Sequence, residues 1–166
     1  MTDSVLQTAI DCLSIREVSL RQSSAWLAED YDPRFSSIEA MQPQFKHLVE
    51  RSYLMEVRDE ASSYYVFRVF IDLGMRLLPV SRDQAEGEGA DETILAQIEA
   101  TFVAEYDSQT DPGTEALEAF ARQNASYHVW PYWREFVSSQ CARMGLPKVT
   151  IPAIQVASNG AGTPES

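Results

Sequence analysis

The chain has 166 residues, carries 25 acidic against 13 basic side chains, and has a formal net charge of −12. A length of this order favours one domain that buries roughly 70% of its unfolded surface, so no disulfide or metal staple is required for stability. The acidic excess makes nucleic acid and anionic lipid poor partners, because nothing offsets phosphate repulsion.

In chain order, residues 5–12 read as a short helix running into a first strand. Leu13 and Ile15 share one parity and Val18 and Leu20 the other, which marks a bulge in a bent strand. Residues 28–42, with Pro33 inside, Pro43 just beyond and little periodicity, read as a connection carrying Tyr31, Phe35, Ile38 and Met41. A second strand over residues 45–57 alternates weakly and is expected to be wet on one face. Two stronger strands follow. Tyr65, Phe67, Val69, Ile71, Leu73, Met75 and Leu77 form one apolar face, and Ile94, Ala96, Ile98, Ala100, Phe102, Ala104 and Tyr106 another. Period-two alternation with a polar reverse side predicts an antiparallel sheet packed on one face. The acidic, glycine-containing residues 81–91 between them read as a solvated loop, without the spacing of a calcium site.

Two helices complete the pattern. The first is expected to start with Thr114 as N-cap and run to about Gln123. The second is expected near Trp130-Pro131, with Pro131 in the first turn, where a missing N–H costs nothing. Trp133, Phe136, Val137, Gln140, Cys141 and Met144 share one face of it by their spacing, and Gly145 and Pro147 end it. Strands followed by helices predict an α+β domain, a four-stranded antiparallel sheet with C-terminal helices on one face. Residues 1–157 are assigned to that domain and 158–166 to a flexible tail.

Chemistry-bearing motifs are scarce. His47 and His128 lack the spacing of metal ligands, and the sequence has no glycine-rich phosphate loop, no nucleophile elbow and no dinucleotide fingerprint. Cys12 and Cys141 form no CxxC pair and fit a reducing compartment. The start of the chain lacks the pattern of a signal peptide, and no run approaches the ~20 apolar residues of a membrane span. The expectation is a cytoplasmic protein with no cofactor, no metal and no catalytic residue. Two rivals are a small enzyme using a carboxylate pair and a structural oligomer whose apolar helix surface is consumed by self-assembly.

Aromatic crowding is the remaining signal. Trp130, Tyr132, Trp133 and Phe136 fall within seven residues, yet successive helical positions turn by roughly 100°, so they cannot all face the sheet. Those that point away, opposite the connection holding Tyr31 and Phe35, would line an apolar groove or a subunit interface.

The run Trp130-Pro131-Tyr132-Trp133-Arg134-Glu135, continuing through Ser138-Ser139 to Arg143-Met144-Gly145-Leu146-Pro147, resembles the signature of the SecB family of export chaperones. Phe102-Val103-Ala104-Glu105 and Ile15-Arg16-Glu17-Val18-Ser19-Leu20 resemble two of its strands, so the likeness spans residues 13–154 in element order. The resemblance implies an ATP-independent holding chaperone, a homotetramer that binds unfolded polypeptide clients such as preproteins in apolar grooves. It implies client contacts at Tyr31, Phe35, Trp130, Tyr132, Trp133, Phe136 and Met144. It also implies docking of the export motor SecA on the sheet face through Glu17, Val103 and Glu105. Arg21 stands where the family carries a further acid. The helix ahead of the first strand and the exit Pro152-Ala153-Ile154-Gln155 resemble instead the SecB-like chaperones of toxin–antitoxin systems, whose client is an antitoxin.

Overall fold

The computed structural model of the chain describes residues 2–80 and 93–154. The loop expected over residues 81–91 and the tail over 158–166 lie outside the described residues. Helix α1 (Thr2–Cys12) leads into β1 (Ser14–Leu27), followed by β2 (Met41–Arg58), β3 (Ser63–Pro79) and β4 (Ala96–Ser108), then by α2 (Thr114–Gln123) and α3 (Ala125–Met144). The strands form one four-stranded antiparallel sheet in the order β1-β4-β3-β2. This is the expected α+β arrangement.

The alternation in β3 and β4 builds the core. Phe67, Val69, Ile71, Leu73, Met75 and Leu77 of β3, with Ile98, Phe102 and Tyr106 of β4, are each no more than 3% exposed and lie under the helices. Alanines at 96, 100 and 104 alternate with the large residues of β4 and let the helices approach closely. Each large side chain buried this way contributes about 1.5–3 kcal/mol of transfer free energy.

Weak alternation at the sheet edges has a geometric cause. In β1 the register shifts between Ile15 and Glu17, as the parity change predicts, and again between Leu20 and Gln22. In β2 it shifts between Val49 and Arg51. His47 and Val49 face the helices before this bulge, and Ser52 and Leu54 do so after it. A single period-two template therefore fails across the strand.

Four boundaries differ from expectation. Strand β2 begins at Met41 instead of near Phe45 and contains Pro43, which the sequence pattern leaves between the connection and the strand. Because β2 is an edge strand, the N–H that proline lacks falls where no neighbour needs it. Strand β4 begins at Ala96, after Ile94, although Leu95 still bonds both neighbours, its carbonyl accepting from the Ala28 N–H and its N–H donating to the Leu77 carbonyl, each at 2.8 Å. Thr114 is the first residue of α2, not its cap. Gly113 (φ 93°) is the cap, and its N–H is held by Asp111 Oδ1 at 2.8 Å.

Helix α3 begins at Ala125, separated from α2 by Asn124 alone, so Pro131 sits inside it instead of in its first turn. The run from Ala125 to Trp130 is rich in β-branched and aromatic residues and is a poor helix former by propensity. Tertiary anchoring overrides that preference, because Ala125, Ser126, Val129 and Trp133 are all buried against the sheet. At the far end Gly145 adopts the left-handed conformation (φ 69°), and the Leu146 N–H reaches back to the Cys141 carbonyl at 2.9 Å, closing the helix.

Trp133, 1% exposed, is the largest side chain in the core. Replacing it by Ala is expected to cost about 3–5 kcal/mol in urea-induced unfolding, and a loss below 1 kcal/mol would contradict its central packing.

Candidate functional site

The connection between β1 and β2 starts at one edge of the sheet and ends at the other. It is tied down at both ends, by Ala28 N–H to Leu95 and by Val80 N–H to the Ala40 carbonyl, each at 2.8 Å. It therefore crosses the end of the sheet where β3 stops and β4 starts. Two short 3₁₀ turns, Pro33–Phe35 and Ile38–Ala40, shape it. Asp32 caps the first through the Arg34 N–H, and its hydrogen bonds to the Arg34 side chain hold its pKa down at about 2. Tyr31 is half-buried and donates its hydroxyl to Met41 Sδ at 2.9 Å. Phe35 points outward and is 85% exposed.

The aromatics of α3 divide as helical geometry requires. Trp133 points into the core, and Tyr132 points away and is 50% exposed. Trp130 leans toward β2, its ring centroid 5.7 Å from that of His47. Phe136 leans toward β4 and packs edge-on against Phe102 at 6.3 Å. Met144 packs partly buried at the end of the helix. The seven residues expected at the groove thus do not share one surface. Trp133 is core, Phe136 is on the β4 side, and Trp130 is on the side of β2.

Residues 146–154 run between these elements without regular secondary structure. Leu146 is 7% and Ile151 5% exposed, and the Trp130 indole N–H donates to the Pro152 carbonyl at 2.9 Å. On one side the segment borders a cavity of about 180 Å³ with Met41, Pro43 and Leu77. On the other it borders an open hollow of about 430 Å³ with Pro131, Arg134, Glu135 and Ser138 of α3. The alternation of Val149 and Ile151 after Pro147 was the signal in the sequence that this segment packs, and the sequence reading assigned it no role.

Two histidines pin α3 to the sheet. His47 Nε2 shares a hydrogen bond with Ser126 Oγ at 2.6 Å, and His128 Nδ1 shares one with Tyr106 Oη at 2.9 Å. Burial holds both imidazoles below their ordinary pKa of 6.5 and pushes the Tyr106 phenol upward. Neither histidine belongs to a cluster of metal-ligating side chains among the described residues.

The reverse face of the sheet is not simply wet. Val66, Phe70 and Val103 are 3%, 3% and 2% exposed. Charged and aromatic groups roof them. The Arg51 guanidinium sits 3.9 Å over the Phe70 ring, and Arg68 donates to Glu105 at 2.7 Å and to the Tyr53 hydroxyl at 3.0 Å. Glu17 stands opposite Glu105 and Ser19 opposite Val103, so the three residues expected to dock a partner do lie together. Only Glu17 is openly accessible: Glu105 is 15% exposed in its ion pair, and Val103 lies beneath it. Arg21 lines a shallow depression of about 350 Å³ on the same face, with Lys46, Glu50, Arg51, Asp72 and Glu99. Trp26, 41% exposed, is a further presented aromatic that the sequence reading passed over.

This architecture is found in a known protein. A solved structure of the Mycobacterium tuberculosis SecB-like chaperone Rv1957, in complex with a ChAD peptide from the Rv1956 HigA1 antitoxin, superposes with a TM-score of 0.66, covering 92% of this chain and 97% of that one at 21% identity. The fold is that of a SecB-like chaperone. Two curated M. tuberculosis proteins, SecB-like chaperone MT2006 of strain CDC 1551 and SecB-like chaperone Rv1957 of strain H37Rv, are each 30% identical over 95 residues, covering 54% of this chain and 52% of theirs. The aligned region thus spans about half the length of the curated relatives. No protein-family model matches the chain. The expected resemblance to SecB-like chaperones therefore holds over about half of the sequence and in the fold, and the helix expected ahead of the first strand is present as α1. No described helix is long and apolar enough to cross a membrane.

Two expectations follow from the geometry. In the folded chain burial holds both histidines below the ordinary value of 6.5, so the unfolded chain takes up protons more readily there. Their contribution is complete above that value and is lost as pH falls through it toward the lower folded pKa. The melting temperature is expected to fall between about pH 7 and 5, more steeply than in a His47→Gln/His128→Gln variant; equal slopes would contradict this. Glu105→Ala is expected to cost roughly 1–3 kcal/mol in denaturant titration, because it strips Arg68 of its carboxylate above a buried apolar floor.

Proposed function

We propose that the chain is an ATP-independent holding chaperone that binds unfolded polypeptide, not an enzyme, and that it works as a homotetramer. The observation that carries this reading is the apolar surface left open beside the crossing connection and α3, above all Phe35 at 85% and Tyr132 at 50% exposure. It is supported by the SecB-like fold and by relatives named as chaperones. Each client side chain buried on such a surface contributes about 1.5–3 kcal/mol. Several weak sites repeated across subunits hold an extended chain by multivalency, without demanding a particular sequence. Binding the unfolded state delays folding by mass action, so no nucleotide is required.

The favoured client is an antitoxin. A protein with this fold has been solved with an antitoxin peptide bound. Export of preproteins is the second reading, favoured by the pairing of Glu17 with Glu105 on the sheet face. Against it, Arg21 brings positive charge to that face, and Glu105 is already neutralised by Arg68.

Light scattering of a chemically unfolded client tests the main claim. Stoichiometric tetramer is expected to suppress aggregation, and a Phe35→Ser/Tyr132→Ser variant is expected to bind the client roughly 10-fold more weakly or worse, about 1–2 kcal/mol of lost burial. Both side chains lie on the surface, so the variant should melt as the parent does. Unsuppressed aggregation with the parent protein would remove the holding reading. Suppression of an antitoxin's aggregation but not of a preprotein's would separate the two clients.

A further inference from the structure

Residues 146–154 follow α3 without strand or helix pairing, and the segment carries apolar anchors at Leu146, Val149 and Ile151. It lies between Met41 and Pro43 at the start of β2 and Pro131, Arg134 and Ser138 of α3. Its main-chain contact is one a sequence-tolerant binder makes. Trp130 gives its indole N–H to the Pro152 carbonyl at 2.9 Å. Any polypeptide carries such a carbonyl, so the contact demands no particular client sequence.

Building on the holding function proposed above, we infer that residues 146–154 are an internal stand-in for the client. An extended apolar polypeptide segment binds between α3 and the start of β2 by displacing this strap from Trp130. The strap covers the part of the binding surface beside Trp130 in the empty protein and sets its affinity, because binding is weakened by the fraction of molecules in which the strap is seated. Leu146 stays in place as the closing residue of α3 through its bond to Cys141, so the strap is hinged at Pro147.

Amide hydrogen exchange on the intact protein tests this. The probe is a short fluorescein-labelled peptide rich in leucine, valine and lysine that has no fold of its own. Saturating peptide is expected to raise exchange at Val149, Ile151 and Ala153 while α3 stays protected. Unchanged or increased protection of those three amides would overturn displacement. Ile151→Ser, which loosens the strap, is expected to bind the peptide about tenfold more tightly by fluorescence anisotropy, and equal or weaker binding by a variant that melts cooperatively would also overturn it. If that variant fails to fold, the exchange experiment on the parent decides alone. Peptide binding with the strap still protected sinks the strap's role and leaves the holding function standing. Absence of peptide binding to both proteins sinks the two together.

Discussion

The strand order β1-β4-β3-β2 is the constraint on which the rest of this structure depends. It places two strands adjacent in sequence at opposite edges of the sheet, so the chain between them must cross the sheet's end. A crossing connection cannot pair as a strand. It is held instead by a few backbone bonds at its two ends and by the seating of Tyr31 on Met41. What it presents between those points, Phe35 in particular, is surface that no other described part of the subunit covers. A hairpin in the same place would have brought β1 and β2 together and left no such surface.

Helix α3 packs on one face of that sheet, and its position is set by polar as well as apolar contacts. Trp133 and Val137 bury its underside, while Ser126 and His128 bond to His47 of β2 and Tyr106 of β4. Hydrogen bonds between buried groups are directional, whereas apolar packing alone tolerates sliding. The two histidine contacts, reaching different strands, therefore fix the rotation and the register of the helix. That rotation decides that Trp130 leans to the β2 side, Phe136 to the β4 side and Tyr132 outward.

The reverse face of the sheet follows a different logic. Long charged side chains lie flat across Val66, Phe70 and Val103 and shield them while keeping their charged heads near water. An acidic protein has few cations to spend, yet several of them are on this face, paired as Arg16 with Asp107, Lys46 with Glu99 and Arg68 with Glu105. Gly74 permits one of these pairings, since a Cβ there would stand 3.3 Å from Lys46 Cβ as that side chain passes toward Glu99. The face is thus close to neutral on a strongly acidic chain.

The sequence by itself determined the two central strands, because period-two alternation in β3 and β4 is a direct image of a sheet buried on one side. It determined the bulge in β1 and the closing of α3 at Gly145, where single residues have strong local preferences. It also identified the aromatic run as too broad for one face. Tertiary structure alone decided the rest. The start of α3 could not be read, because residues 125–130 are poor helix formers held by contacts with strands far away in sequence, and Pro131 stood where a first turn was the natural reading. Pro43 hid the true start of β2, since proline is excluded from central strands and nothing local announces an edge. Which aromatics are core and which are presented depends on the rotation of α3, and that is set by His47 and Tyr106, residues with no local signal of their role. The packing of residues 146–154 between α3 and the start of β2 has the same origin. Local preference specifies elements, but a groove exists only between elements, where the residues that make it meet through the fold and not along the chain.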